Sequence, residues 1–172
     1  AASKSSREGA GKASGELERL STEFAKVMKH SGSDYESVFV ADAGGTIIAD
    51  GSNGKTKGIA VGDRDYFKEA KGGKVYIGAA IKSRASGKPV SVVSAPIYGS
   101  GGELVGMVGA IHNVDFLCER IGSVKVGQTG YAWMIDKSGL FVAHPKKENI
   151  LEVNAANLEG MKEITGKMIA RN

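Results

Sequence analysis

Cysteine is nearly absent. Cys118 stands alone in 172 residues, so no intrachain disulfide can form and no paired-cysteine metal or haem site exists. It falls on an apolar-periodic segment and reads as a buried structural thiol. Aromatics make up only 6% of the chain, and 23 basic residues are scattered among 19 acidic ones for a net charge of +4. A nucleic-acid surface needs a basic stripe with aromatics between, so no nucleic-acid partner is expected. No apolar run approaches the roughly 18 residues that mark a bilayer-spanning helix. No signal peptide is visible, and a chain that starts without Met reads as a piece excised from something longer. The three histidines, His30, His112 and His144, have neither H-x-x-x-H spacing nor cysteines or carboxylates at ligand spacing, so no metal is expected. There is no Gly-x-Ser-x-Gly elbow. Ala49-x-x-x-x-Gly54-Lys55-Thr56 approximates a phosphate loop, but Ala stands where the leading Gly belongs and Lys57 to Gly62 lacks the helical period that would cradle phosphates. A surface loop is expected there. No catalytic residue and no cofactor follows from the sequence.

What is present is a repeat. Val38–Asp50 (VFVADAGGTIIAD) is answered by Ala132–His144 (AWMIDKSGLFVAH). Asp42 matches Asp136, Gly45 matches Gly139, Ala49 matches Ala143 and Asp50 matches His144, always 94 positions apart. Each copy reads as strand, tight turn, strand, because Asp bonds to nearby backbone N–H groups and Gly accepts positive φ. Two copies at fixed offset suggest two related modules in series. An apolar fraction of 41% suffices for a packed core, and 25 glycines suit a fold rich in turns.

Along the chain, residues 1–13 carry no core and are expected to be a flexible lead. Leu17, Leu20, Phe24, Val27 and Met28 fall at helical spacing and predict an amphipathic helix ending at Ser31-Gly32-Ser33. Gly51 to Gly58 is a polar loop, and residues 63–70 read as a short helix capped by Asp63. Residues 74–78 suggest a short strand. Residues 90–98 and 104–112 form a strand pair around Gly99-Ser100-Gly101-Gly102. A short helix over 114–121, the second hairpin and a closing helix at 158–168 complete the reading. The fold class is therefore α+β: a mostly antiparallel sheet with helices on one side. The expected boundaries are a helix with its lead over 1–30, a first module over 31–122, and a partial second module over 123–172.

Four stretches resemble the double-Cache extracellular sensor domains of bacterial chemoreceptors and transmembrane kinases. They are Arg64–Ala70 (RDYFKEA); Ser83–Val90 (SRASGKPV) leading into Ser94-Ala95-Pro96-Ile97; Gly102–Ala110 (GELVGMVGA); and Val126–Ala132 (VGQTGYA), closing with Gly139 through Pro145. The resemblance covers roughly residues 14–160. It implies PAS-like modules, each beginning with a copy of the duplicated hairpin. It also implies the periplasmic or extracellular part of an inner-membrane protein, anchored when full length, with room for a homodimer. The function implied is ligand sensing for a methyl-accepting chemotaxis receptor, or alternatively for a transmembrane histidine kinase or diguanylate cyclase.

In amino-acid-binding members of that family, an Arg and two aromatics of an Arg-x-Trp-Tyr stretch hold the ligand carboxylate and an Asp on the last strand holds its amine. Arg64 matches the Arg, Tyr66 stands for the Trp, Phe67 for the Tyr, and Ile111 occupies the Asp position. An apolar residue does not compensate a buried ammonium, so a small organic acid is expected in preference to an amino acid. The ligand set this implies is Arg64, Tyr66, Phe67, Tyr76, Ser91, Val93, Ile111 and Asn113, with His112 and Asp65 as further candidates. Alternation along the strand puts Asn113 with Ile111 and turns His112 away. His112 on its own either lines a cavity or caps the sheet. Arg64 on its own is either a carboxylate clamp or a surface partner of Asp63 or Asp65. A remote alternative is a small hydrolase using His112 and Asp115.

Overall fold

A computed structural model describes residues 2–170. In chain order the elements are α1 (Ala2–His30), β1 (Tyr35–Asp42), β2 (Ile47–Asp50), α2 (Asp65–Lys71), β3 (Tyr76–Ile77), β4 (Ile81–Lys82), β5 (Pro89–Tyr98), β6 (Leu104–Asn113), α3 (Asp115–Gly122), β7 (Lys125–Val126), β8 (Gly130–Tyr131), β9 (Met134–Ile135), β10 (Phe141–Ala143) and α4 (Lys162–Ile169). Residues 2–13 of the expected flexible lead over 1–13 instead form the first part of α1, and residue 1 lies outside the described residues.

The residues group into two units: those up to Gly78 with Val92–His112, and Ala79–Ser91 with those from Asn113 onward. The expected module boundary after residue 122 therefore moves. Residues 79–91 and α3 join the second unit through concrete contacts: Val114 N–H donates to the Pro89 carbonyl, Lys88 pairs with Asp115, and Cys118 packs with Ala143 and Ile150.

In the first unit the strands order as β2-β1-β6-β5-β3. β1 pairs antiparallel with β2 and β6, and β5 with β3. Alternation sorts the side chains. Ser37, Phe39 and Ala41 stand opposite Ile111, Gly109 and Met107, and all six are buried. A Cβ at Gly109 would lie 2.5 Å from the Phe39 ring, so only glycine lets that ring lie across β6. Burying Phe39 and Met107 stabilises by about 2–3 kcal/mol each. α2 covers this face: Tyr66 meets Phe39 edge-on at 6.5 Å, and the Ser94 hydroxyl donates to the Tyr66 carbonyl at 2.8 Å. α1 packs against β1 and β2. Asp50 stands opposite Phe39, so Gly51 points to the other face, where a Cβ would sit 2.7 Å from the Phe24 backbone and 2.8 Å from Met28 Sδ. Helices thus lie on both faces rather than on one, because the α1 stripe and the α2 aromatics each need an apolar surface.

In the second unit β9 and β10 form the expected hairpin, and Cys118, Ala143 and Ile150 are its small core, joined by Ile121, Met134 and Leu151. Burial pushes the Cys118 thiol above its ordinary 9.0, and the charge of Asp115 adds to this. Between α3 and β9, β7 and β8 form a further short antiparallel hairpin. Thr165 of α4 is fully buried, and its hydroxyl has no partner among the described residues.

The repeat is structural as well as sequential. Asp42 Oδ1 accepts from the N–H of Gly44 and Thr46, both at 2.9 Å; Asp136 Oδ1 accepts from Ser138 at 2.8 Å and Leu140 at 3.0 Å. Gly45 has φ +84° and Gly139 φ +87°. The match extends past the hairpins. Ile47 N–H donates to Ile59 and Val61 N–H to Gly45; Phe141 N–H donates to Val153 and Ala155 N–H to Gly139.

Candidate functional site

Six of the ten sequence candidates lie at the start of α2, on α2 itself, or on the face of the first-unit sheet that α2 covers. Arg64 is the residue before the first turn of α2, extended at φ −76° and ψ 144°, and half-buried. Its carbonyl accepts from Phe67 and Lys68, which fixes where α2 begins. The capping position belongs to Arg64 rather than to the expected Asp63, and the Arg64 side chain makes no capping hydrogen bond. Tyr66 and Phe67 are 7% and 4% exposed, so both aromatics are packed into the core. Asp65 is exposed, 3.7 Å from Lys68. Ile111 is buried on this face, and Tyr76, half-buried, stands opposite Ser94.

The remaining candidates lie elsewhere. Val93 stands opposite the exposed Ile77, so it takes the face opposite to Ser94 and Tyr76. Period-two alternation with Ser94 as the inward residue dictates this. Ser91 and Asn113 belong to the second unit. His112 turns away from the Ile111 face, as alternation requires, and packs tilted against Tyr35 with ring centroids 4.2 Å apart. Asp115 pairs with Lys88 at 3.4 Å. The two residues of the hydrolase alternative thus have separate partners, Tyr35 for His112 and Lys88 for Asp115.

The sequence reading missed a buried polar chain beside this face. Asp50 is 2% exposed. Its Oδ1 accepts from Ser52 N–H at 2.9 Å, the Ser52 hydroxyl at 3.2 Å and Gly54 N–H at 2.8 Å. Its Oδ2 accepts from the N–H and hydroxyl of Thr56, each at 2.9 Å. Thr56 Oγ1 lies 3.2 Å from the hydroxyl of Ser37, whose strand partner is Ile111. Burial presses the Asp50 carboxyl upward, but the donors from Gly54, Thr56 and Ser52 outweigh it and hold it below its ordinary 3.8. The loop expected at the surface therefore has a buried anchor, and the Thr56 hydroxyl is engaged by Asp50 rather than open to phosphate or metal. The spacing Asp50-x-Ser52-x-Gly54-x-Thr56 was the legible signal, since an Asp followed by small residues folds its own backbone N–H groups onto its carboxylate. Among the described residues, no group of three or more His, Cys, Asp or Glu could hold a metal ion.

Comparisons place this geometry. A stretch of 87 residues, 51% of the chain, is 29% identical to the methyl-accepting chemotaxis protein McpA of Pseudomonas putida, of which it spans 14%. The fold matches the ligand binding domain of Mlp24 with asparagine at TM-score 0.63 and 18% identity, covering 91% of this chain and 70% of that one. It matches the extracellular domain of the putative histidine kinase mmHK1S-Z2 at TM-score 0.67 and 15% identity, covering 90% and 68%. The ligand binding domain of the amino acid chemoreceptor PctC of Pseudomonas aeruginosa in complex with GABA matches at TM-score 0.56 and 21% identity, covering 72% and 55%. The family model described as a Cache domain matches residues 2–169, nearly the whole chain, and the protein belongs to the Cache domain family.

Proposed function

We propose that this chain is the extracytoplasmic sensing part of a bacterial chemotaxis receptor, and that it binds a small carboxylate on the α2-covered face of the first unit. The observation that carries the sensing role is the Cache family match over residues 2–169, with a chemotaxis protein as a relative. No described helix is long and apolar enough to cross a membrane, so anchoring would come from chain outside these residues.

Arg64, at the start of α2, is the candidate clamp for the carboxylate. Tyr66, Phe67 and Tyr76 would shape the apolar walls, with Ile111 beneath. Two features favour an acid over an α-amino acid. Position 111 offers no acceptor to an ammonium. The buried carboxylate nearest that face in the register, Asp50, has both oxygens taken by its own loop. Asparagine and GABA, seen with the neighbours, carry an ammonium as well as a carboxylate, so they share with the proposed ligand only the charge that Arg64 would clamp. Ligand binding would bias the packing of α2 and its sheet between two states, and α1 would carry that bias onward. A second reading, the sensor of a histidine kinase, is favoured by the structural neighbour of that kind.

The test is calorimetry with panels of organic acids and amino acids. Saturable binding of an acid is expected, with Arg64→Ala weakening it by about 2–5 kcal/mol. Binding of ordinary α-amino acids with no response to any acid would overturn the ligand class.

A further inference from the structure

A cleft of 420 Å³ opens between α1 and the loop that follows β2. Glu18, Ser21 and Thr22 of the helix line one wall; Asn53 and Lys57 line the other, with Asp50 at the base. None of the residues assigned above to the carboxylate site contributes to it.

The base of the cleft is chemically complete, because both Asp50 oxygens are occupied and the Asp50 N–H donates to Ser21 Oγ at 3.2 Å. The walls are not. Ser21 accepts that bond, but its own proton has no acceptor among the described residues. The Thr22 hydroxyl is used within the helix, on the Glu18 carbonyl. The carboxylate of Glu18, the amide of Asn53 and the ammonium of Lys57 have no hydrogen bond or ion pair with any described residue. Some exposed charges on this unit pair with each other, Lys26 with Glu23 at 2.8 Å and Lys74 with Glu69 at 2.9 Å; what sets Glu18 and Lys57 apart is that they border one concavity. One concavity of small-molecule size is thus bordered by an acid, a base and an amide without partners among the described residues, and by the Ser21 hydroxyl, whose oxygen is bonded and whose proton is not. An anion alone would satisfy Lys57 and be opposed by Glu18 and the buried charge of Asp50. A cation alone would do the reverse. A molecule with both charges answers both.

We propose that this cleft is a second binding site, for a small zwitterion whose ammonium faces Glu18 and whose carboxylate faces Lys57, with Ser21 and Asn53 completing the hydrogen bonds. Such a ligand bridges α1 and the loop anchored by Asp50. It acts on the helix directly, without passing through the α2-covered face.

The experiment titrates isotope-labelled whole chain with glycine, β-alanine and glycine betaine, following backbone amide shifts. Acetate and ethylammonium serve as single-charge controls. At least one zwitterion should give saturable shifts at Ser21, Thr22, Gly54 and Lys57, and the single-charge controls should not. Glu18→Gln and Lys57→Met, both at exposed positions, should each weaken binding about tenfold, equivalent to about 1.4 kcal/mol. Arg64→Ala should leave it unchanged, which separates this site from the carboxylate site. The proposal falls if no zwitterion saturates these amides, if acetate alone reproduces the shifts, or if Arg64→Ala abolishes them while Glu18→Gln and Lys57→Met do not.

Discussion

Two hairpins 94 positions apart share a turn but not the residue that ends them. In both, an aspartate collects two backbone N–H groups and a left-handed glycine closes the turn. At the end of the second strand, Asp50 and His144 still do one thing alike, since each accepts from the N–H two residues on: Ser52 at 2.9 Å, Lys146 at 2.9 Å. Asp50 then goes further. A carboxylate has two oxygens with several lone pairs, and it reaches Gly54 and Thr56 as well. An imidazole nitrogen that accepts the Lys146 N–H has one lone pair, now occupied. The His144 ring instead packs tilted against Phe141, 4.7 Å away, and edge-on against Tyr131 at 5.4 Å. One ending organises a loop and the other seals a small apolar core.

The comparison can be broken most sharply at that position. Asp50→Ala strips an acceptor from three backbone N–H groups and a buried hydroxyl, and should cost about 3–4 kcal/mol in urea denaturation. His144→Ala removes one acceptor and some ring packing and should cost about 2 kcal/mol. Equal losses would show that the extra hydrogen bonds of Asp50 contribute nothing net.

The glycines come next. A Cβ on Gly45 would meet the Gly62 backbone at 2.6 Å, whereas one on Gly139 would meet the Asn154 side chain at 2.9 Å. Both pay for positive φ, but only the side chain can move aside. Gly45→Ala should cost about 2–3 kcal/mol and Gly139→Ala about 1–2 kcal/mol. The reverse order would mean that Asn154, which donates to the Ser138 carbonyl at 2.7 Å, is the less yielding neighbour.

Acid sharpens the difference. Because the Asp50 carboxyl titrates below 3.8 when folded, its contribution is fully present above that value. It is lost as pH falls through the lower, folded-state value. Asp50→Asn should flatten that part of the stability–pH curve, while His144→Asn should leave it in place. The smallest expected effects are at the turn aspartates. Asp42→Ala should cost about 1 kcal/mol and Asp136→Ala slightly more, because Asp136 Oδ1 accepts from the Ser138 hydroxyl at 2.7 Å in addition to the two backbone N–H groups.

Much of this was legible beforehand where period and turn chemistry act locally. The paired hairpins, the 90–98 and 104–112 strands and the outward turn of His112 follow from alternation and from Asp and Gly placement. Local signals stop where tertiary packing decides. The order of elements groups residues 79–91 and α3 with the first hairpin, whereas Lys88 and Cys118 find their partners in the second unit. Val93 and Ser94 are adjacent and both unremarkable. Only the pairing of Ser94 with Tyr76, and its bond to Tyr66, tells which one faces α2. The loop after β2 looked like surface because its residues are small and polar, and those same properties let it wrap a buried carboxylate.

Cys118 carries one more implication. It is the chain's sole thiol, 8% exposed, with its Sγ 3.4 Å from the Val142 carbonyl and its ionisation suppressed by burial. Alkylation by a neutral maleimide therefore requires the surrounding packing to open first. Its reaction rate, read by mass spectrometry without introducing any label site, clocks how often the second unit breathes.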